Sequence, residues 1–130
     1  MAIRVVRLGT PRAPDEGLRL GTVRRPPRGV PKTQLASRNF YDVWLPEAAP
    51  SEELLKEGRQ AGDDPARWKA FARRYRSEMK RPGAARLLDL LAALSHHSNL
   101  AVGCYCANEE RCHRSILRVL LEERRAALVK

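Results

Sequence analysis

The residues best suited to chemistry lie in one run, Cys104-Tyr-Cys-Ala-Asn-Glu-Glu-Arg-Cys-His-Arg, which holds all three cysteines, one of three histidines and two arginines. Three chemistries compete for it. A cysteine at a helix start, flanked by Arg111, His113 and Arg114, has its thiolate stabilised. That makes Cys112 or Cys106 a candidate nucleophile with His113 as base or proton donor. The spacing departs from the Cys-x5-Arg loop of tyrosine phosphatases by one residue, from Cys106 and from Cys104 alike. Alternatively Cys104, Cys106, Cys112 and His113 form a chemically complete Cys3His set for zinc, although Cys-x-Cys is tighter than the usual ligand gap and adjacent Cys-His ligands strain a tetrahedron. Third, backbone amides at a helix start, with Arg111 and Arg114, suit a phosphate group. Against all three stands packing alone, since free cysteine is among the most buried residue types.

The flanking residues say what positions this run. Asn99 to Cys106 is apolar and β-favouring, so it reads as a buried strand. Cys112 to Val129 places Ile116, Leu117, Leu120, Leu121 and Leu128 at helical spacing. The motif therefore sits at a strand–loop–helix junction, the usual ligand position in open α/β sheets.

Further strands are predicted over 3–8, 18–23 and 40–45. Asp42 in the last reads as a solvent-facing residue or an inward charge. Ser51 is the expected cap of a short helix. Asp64-Pro65 opens a longer one with Trp68, Phe71, Ala72, Tyr75 and Met79 on its core face. Pro82-Gly83 opens a third, with Leu87, Leu88, Leu91 and Leu94 buried and His96 and His97 near its end, where a positive charge suits the dipole. The order β, β, β, α, α, α, β, α predicts a single α/β domain over 1–130 with a small, mainly parallel sheet covered by helices.

The net charge is +10, concentrated near the start. Residues 1–38 carry nine Arg or Lys against Asp15 and Glu16. Four of these cations stand in the Pro-rich stretch 24–33, which reads as a loop. Arg24, Arg25 and Arg28 join Arg111 and Arg114 as candidate anion contacts, walling a basic pocket at the end of the 100–106 strand. The implied partner is an anionic small molecule, such as a nucleotide, or a nucleic acid. No apolar run approaches the roughly 20 residues of a membrane span. An odd cysteine count without a secretory leader points to a reducing, cytoplasmic setting. The leading expectation is binding, with or without processing, of a phosphate-bearing ligand without a cofactor. The alternatives are a thiol- or zinc-dependent enzyme and a non-catalytic nucleic-acid-binding module.

The chain also resembles the YeaO-like (DUF488) family of small bacterial proteins over nearly its whole length. The resemblance rests on Arg24-Arg-Pro-Pro-Arg-Gly-Val-Pro-Lys, on Tyr41-Asp-Val-Trp-Leu-Pro with Ala49-Pro-Ser51, and on Asp64-Pro-Ala-Arg-Trp-Lys-Ala-Phe-Ala-Arg-Arg-Tyr75. Near the C-terminus, Cys112-His-Arg-Ser is similar to the Cys-His-Arg signature of one branch, where other members carry Asn-His-Ala. His113 is common to both patterns. The resemblance implies an α/β fold and a bacterial cytosolic setting. Some members are labelled transcriptional regulators, but no helix-turn-helix pattern supports that role here.

Overall fold

A computed structural model describes residues 1–129. Four strands, β1 (Ile3–Arg7), β2 (Leu18–Gly21), β3 (Val43–Trp44) and β4 (Leu100–Cys104), form one parallel sheet in the order β1-β4-β2-β3. The helices are α1 (Glu52–Ala61), α2 (Pro65–Met79), α3 (Pro82–Leu94) and α4 (His113–Glu123). This is the predicted element order and fold class. None of the helices among the described residues is long and apolar enough to cross a membrane.

Strand β4 sits between β1 and β2, pairing Ile3 with Leu100 on one side and Leu18 with Leu100 on the other. All five of its residues are buried, which explains its unbroken apolar sequence: a central parallel strand has no solvent face to mark with polar residues. One core cluster joins Ile3, Leu20 and Val102 of the sheet to Leu54, Phe71, Leu88 and Leu117 of the four helices. A second gathers Leu8, Val23, Leu35, Tyr41, Cys104 and Cys112, so two of the three thiols lie in apolar surroundings. The Tyr41 ring lies against Gly21, where a Cβ would come within 2.4 Å of Cδ2.

The helix ends follow their sequence signals. The Ser51 hydroxyl accepts from the Leu54 amide at 3.3 Å and donates to Glu78 at 2.5 Å, fastening α1 to α2. Asp64 accepts from the Ala66 amide at 3.0 Å, and Pro65 takes the first helical position. Phe71, Tyr75 and Met79 are buried along α2, with Trp68 and Ala72 at the margin of the same cluster, as the spacing predicts. Leu88 and Leu91 of α3 are buried, with Leu87 and Leu94 partly so.

Three expectations are corrected. Helix α4 stops at Glu123 instead of running to Val129, because the tail is used as sheet edge. Ile3 donates to Ala127 O at 2.8 Å and accepts from the Val129 amide at 2.9 Å, placing Leu128 against β1. Strand β3 is two residues rather than six; Phe40 and Tyr41 turn into the second cluster after Asn39, which has φ +64°. His96 meets the chain rather than the end of its own helix, its Nε2 lying 2.9 Å from Arg125 O.

Charge inside the fold lies where alternation does not reveal it. Arg19 on β2 has 0 % exposure and Glu16 has 3 %. The Arg19 guanidinium donates to both Glu16 carboxylate oxygens at 2.8 Å. It also donates to the Thr10, Asn39 and Pro11 carbonyls at 2.8, 2.7 and 3.4 Å. All five N–H donors are thereby used. Asp42 stays at the surface, as the solvent-facing reading has it, yet it is engaged, accepting from Arg12 at 2.8 Å and from the Arg19 amide at 2.8 Å.

Candidate metal centre

Three features of the chain bring the sulfurs together. Strand β4 ends at Cys104, so Cys106 lies beyond the pleat, after a bend at Tyr105. A 3-10 turn at Glu109–Arg111 then reverses the chain, with Asn108 accepting from the Glu110 amide at 3.0 Å. Cys112 follows as the residue preceding α4, its carbonyl accepting from the Ser115 hydroxyl at 2.9 Å. As a result the Sγ atoms of Cys104, Cys106 and Cys112 all lie within 4.8 Å of one another. Cys104 and Cys112 are buried and Cys106 is exposed.

The three thiols are shifted in different directions. Cys106 is held far below the usual thiol range because Cys104, then Cys112, donate to its thiolate; burial opposes this and the Arg114 guanidinium assists. Cys104 is pushed far up, since its proton is engaged by Cys106 and then Cys112, and burial adds to the effect. At Cys112 the Cys104 hydrogen bond acts downward, but donation to Cys106 and burial outweigh it and raise the thiol. Of the three, the accessible Cys106 is the sulfur shifted toward the thiolate, and the two buried sulfurs are shifted toward the thiol.

His113 stands beside this cluster and is not part of it, which corrects the four-ligand set. Its Nε2 lies 2.7 Å from the Thr22 carbonyl, an acceptor only, so Nε2 carries the proton. Nδ1 then presents its lone pair to Cys112 Sγ at 3.8 Å. Burial lowers the ring to about 4, with the Thr22 bond acting against it, so the imidazole is neutral near pH 7. The Tyr75 ring packs at right angles to it, centroids 5.6 Å apart. The first residue of α4 is thus turned to Thr22, just past β2, and to α2, with Nε2 hydrogen-bonded and Nδ1 beside the Cys112 sulfur.

The five arginines chosen as anion contacts have varied positions. Arg24 donates to Pro50 O at 3.0 Å and Ala49 O at 3.1 Å, tying the basic loop to the start of α1. Arg25 forms an exposed ion pair with Glu52 at 2.7 Å, and Arg28 is exposed. Arg111 lies 5.8 Å from the Trp68 ring centroid. Arg114, 3 % exposed, donates to Cys106 O at 2.6 Å, and its Nε is buried with no hydrogen-bond partner among the described residues. Of the five, Arg114 is the one bonded to a cysteine of the cluster.

Sequence reasoning missed two groups that fix the site. The Thr22 carbonyl orients His113 from 91 residues away, and no local pattern announces such a contact. Tyr75 reads only as core; yet it packs on His113, and its hydroxyl donates to Ala48 O at 2.6 Å.

No curated protein and no solved structure matches the chain. A family model does: DUF488-N3a, described as the active DUF488-N3 subclade, matches residues 3–125. That match spans all four strands and all four helices, thiol cluster included, so the chain belongs to the DUF488-N3a family, as its resemblance to YeaO-like proteins implies.

Proposed function

We propose that the protein is a metal-dependent enzyme whose centre is a thiophilic divalent ion, zinc first, held by Cys104, Cys106 and Cys112. The observation that carries this reading is the approach of three sulfurs to within 4.8 Å, with one of them at the surface. Three protein ligands are the number typical of catalytic zinc, where water or substrate takes the fourth position, and an exposed Cys106 suits such access. When bound, zinc supplies Lewis acidity toward a water or substrate oxygen. The chain's own part is to hold the sulfurs. Residues Asn108 to Arg111 set the loop, the His113 ring, held by its Nε2–H bond to the Thr22 carbonyl, packs beside Cys112, and Arg114 fixes the Cys106 backbone while offsetting thiolate charge. The description of the matching subclade as active is in keeping with a reactive centre.

Native mass spectrometry of protein purified under reducing conditions tests this. One zinc equivalent per chain is expected, lost to a strong chelator and regained on adding zinc. Cys112→Ser is expected to weaken zinc binding by about 100-fold or more, as loss of a thiolate ligand outweighs the roughly 10–100-fold effects of outer partners. Failure of the reduced protein to take up zinc ends the metal reading.

A second reading is favoured by the exposed thiolate: Cys106 acting as a metal-free nucleophile. It predicts that iodoacetamide labels Cys106 in the metal-free protein at pH 6 at least about tenfold faster than a model thiol, with Cys104 and Cys112 protected. Equal labelling of all three at the model rate, followed by peptide mass mapping, would dispose of it. The earlier expectation of a phosphate held by Arg24, Arg25, Arg28, Arg111 and Arg114 has less support here, since Arg24 and Arg25 are engaged by Pro50, Ala49 and Glu52.

A further inference from the structure

On the sheet side of the basic loop lies a cavity of about 420 Å³ whose lining includes Val30, Lys32, Thr33, Tyr41, Asp42 and Trp44. Its volume falls within the range of small-molecule sites, and its lining is mostly apolar with a few polar groups, as such sites require. The polar groups are those with capacity left over. Lys32 makes no ion pair, and the Thr33 and Tyr41 hydroxyls make no hydrogen bond, among the described residues. Tyr41 is 3 % exposed as a residue, and its hydroxyl is accessible rather than buried, so it can serve a ligand without first losing a partner. Asp42 Oδ2 accepts two bonds, from Arg12 and the Arg19 amide, but Oδ1 accepts one, from Arg12 at 3.1 Å, and keeps a free lone pair. Trp44 is fixed by donation from Nε1 to Val23 O at 2.8 Å, and its indole is 42 % exposed.

We infer that this cavity binds a nucleoside monophosphate, its ring against Trp44 and its phosphate at Lys32. Each half of that ligand answers a feature of the cavity. A heteroaromatic ring gains from a fixed indole face and from apolar Val30. Ring or exocyclic N–H groups of a base meet the open lone pair of Asp42, while ribose hydroxyls suit Thr33 and Tyr41. The phosphate meets an unpaired ammonium in a loop with further positive charge at Arg28. An aliphatic anion would leave the indole unused, and inorganic phosphate would leave most of the cavity empty. The inference does not depend on the thiol centre, although Leu35 and Tyr41 pack in the same cluster as Cys104 and Cys112 and so form a shared wall.

The test is isothermal titration of the full chain with the 5′-monophosphates of adenosine, guanosine, cytidine and uridine, each beside its nucleoside and inorganic phosphate. At least one nucleotide is expected to bind one-to-one. Lys32→Ala, an exposed and unpaired position, is expected to weaken it about tenfold while leaving the nucleoside's affinity unchanged. Cys106→Ser is expected to bind the nucleotide as the parent does. Absence of saturable binding for all four nucleotides overturns the inference, as does an affinity indifferent to Lys32→Ala. Nucleotide binding by a protein that takes up no zinc would remove only the metal reading.

Discussion

Arg19→Ala is expected to destabilise the protein by about 3–5 kcal/mol, the cost of leaving one partner of a buried ion pair uncompensated. The substitution strands more than the Glu16 carboxylate. The carbonyls of Thr10, Pro11 and Asn39 lose their shared donor, and they belong to two loops, one after β1 and one before β3, that the guanidinium draws together. Arg19→Lys is expected to recover little, because one ammonium has three donors where five are in use. Replacing both charges by apolar groups, Glu16→Leu with Arg19→Met, is expected to cost less than the two single substitutions summed, since neither then leaves a buried charge alone. Urea denaturation of Arg19→Ala, Arg19→Lys, Glu16→Leu, Arg19→Met and the double variant measures all of this. The pair also sets a pH dependence. At Glu16 burial acts upward, but the Arg19 hydrogen bond, the Ala13 amide and the arginine charges outweigh it and hold the carboxyl below 4.5. A carboxyl depressed in the folded state contributes its full stability above its unfolded pKa and loses it as pH falls through the lower folded value. Stability should therefore fall below about pH 4.5 in the parent and fall less steeply in the Glu16→Leu/Arg19→Met protein.

Gly17→Ala is the second large effect, expected at about 3 kcal/mol or more from two independent causes. Gly17 has φ +79°, costly for alanine by about 1–2 kcal/mol. In addition a Cβ there would lie 1.9 Å from the Asn99 carbonyl oxygen, so the backbone itself must move. Asn99 is not free to yield: its side chain accepts from the Ala2 amide at 3.1 Å, and it leads directly into β4. Gly29→Ala provides the control, since Gly29 has φ +74° with nothing within 4 Å of its Cβ position, and only the conformational cost should appear. Thermal melts of the two variants separate strain from collision. Because β4 carries Cys104, zinc uptake in Gly17→Ala is expected to weaken together with stability.

Local pattern was enough for β4, because a central parallel strand is apolar throughout, and for α2, whose caps and stripe agree with each other. It was enough to group the three cysteines, since a strand end and a helix start lie only eight residues apart. It failed where a residue's partner is remote. Arg19 alternates with Leu18 and Leu20 as a solvent-facing residue would, and the single local hint is the acid three positions before it. His113 lies beside the cysteines as its position in the motif suggests, but only the Thr22 carbonyl, 91 residues away, turns its Nε2 from the sulfurs. The basic loop misled for a related reason: an arginine satisfied by backbone carbonyls has the same letter as one waiting for a phosphate. Leu128 kept helical spacing while serving as the edge of β1.

The strand order has a consequence for how the protein is made. β1 and β2 are synthesised early, yet neither pairs with the other; β2 meets the short β3 on one edge, but its other edge and the whole of β1 wait for β4, with Arg7 meeting Cys104 some 97 positions later. Until Leu100–Cys104 leaves the ribosome, the nascent chain holds two strands with unpaired edges, the kind of surface that templates aggregation. Sheet closure is then a late, long-range event, slow on topological grounds. The stretch that completes the sheet is the one that assembles the thiol cluster, so a chain truncated before it has neither a closed fold nor a site.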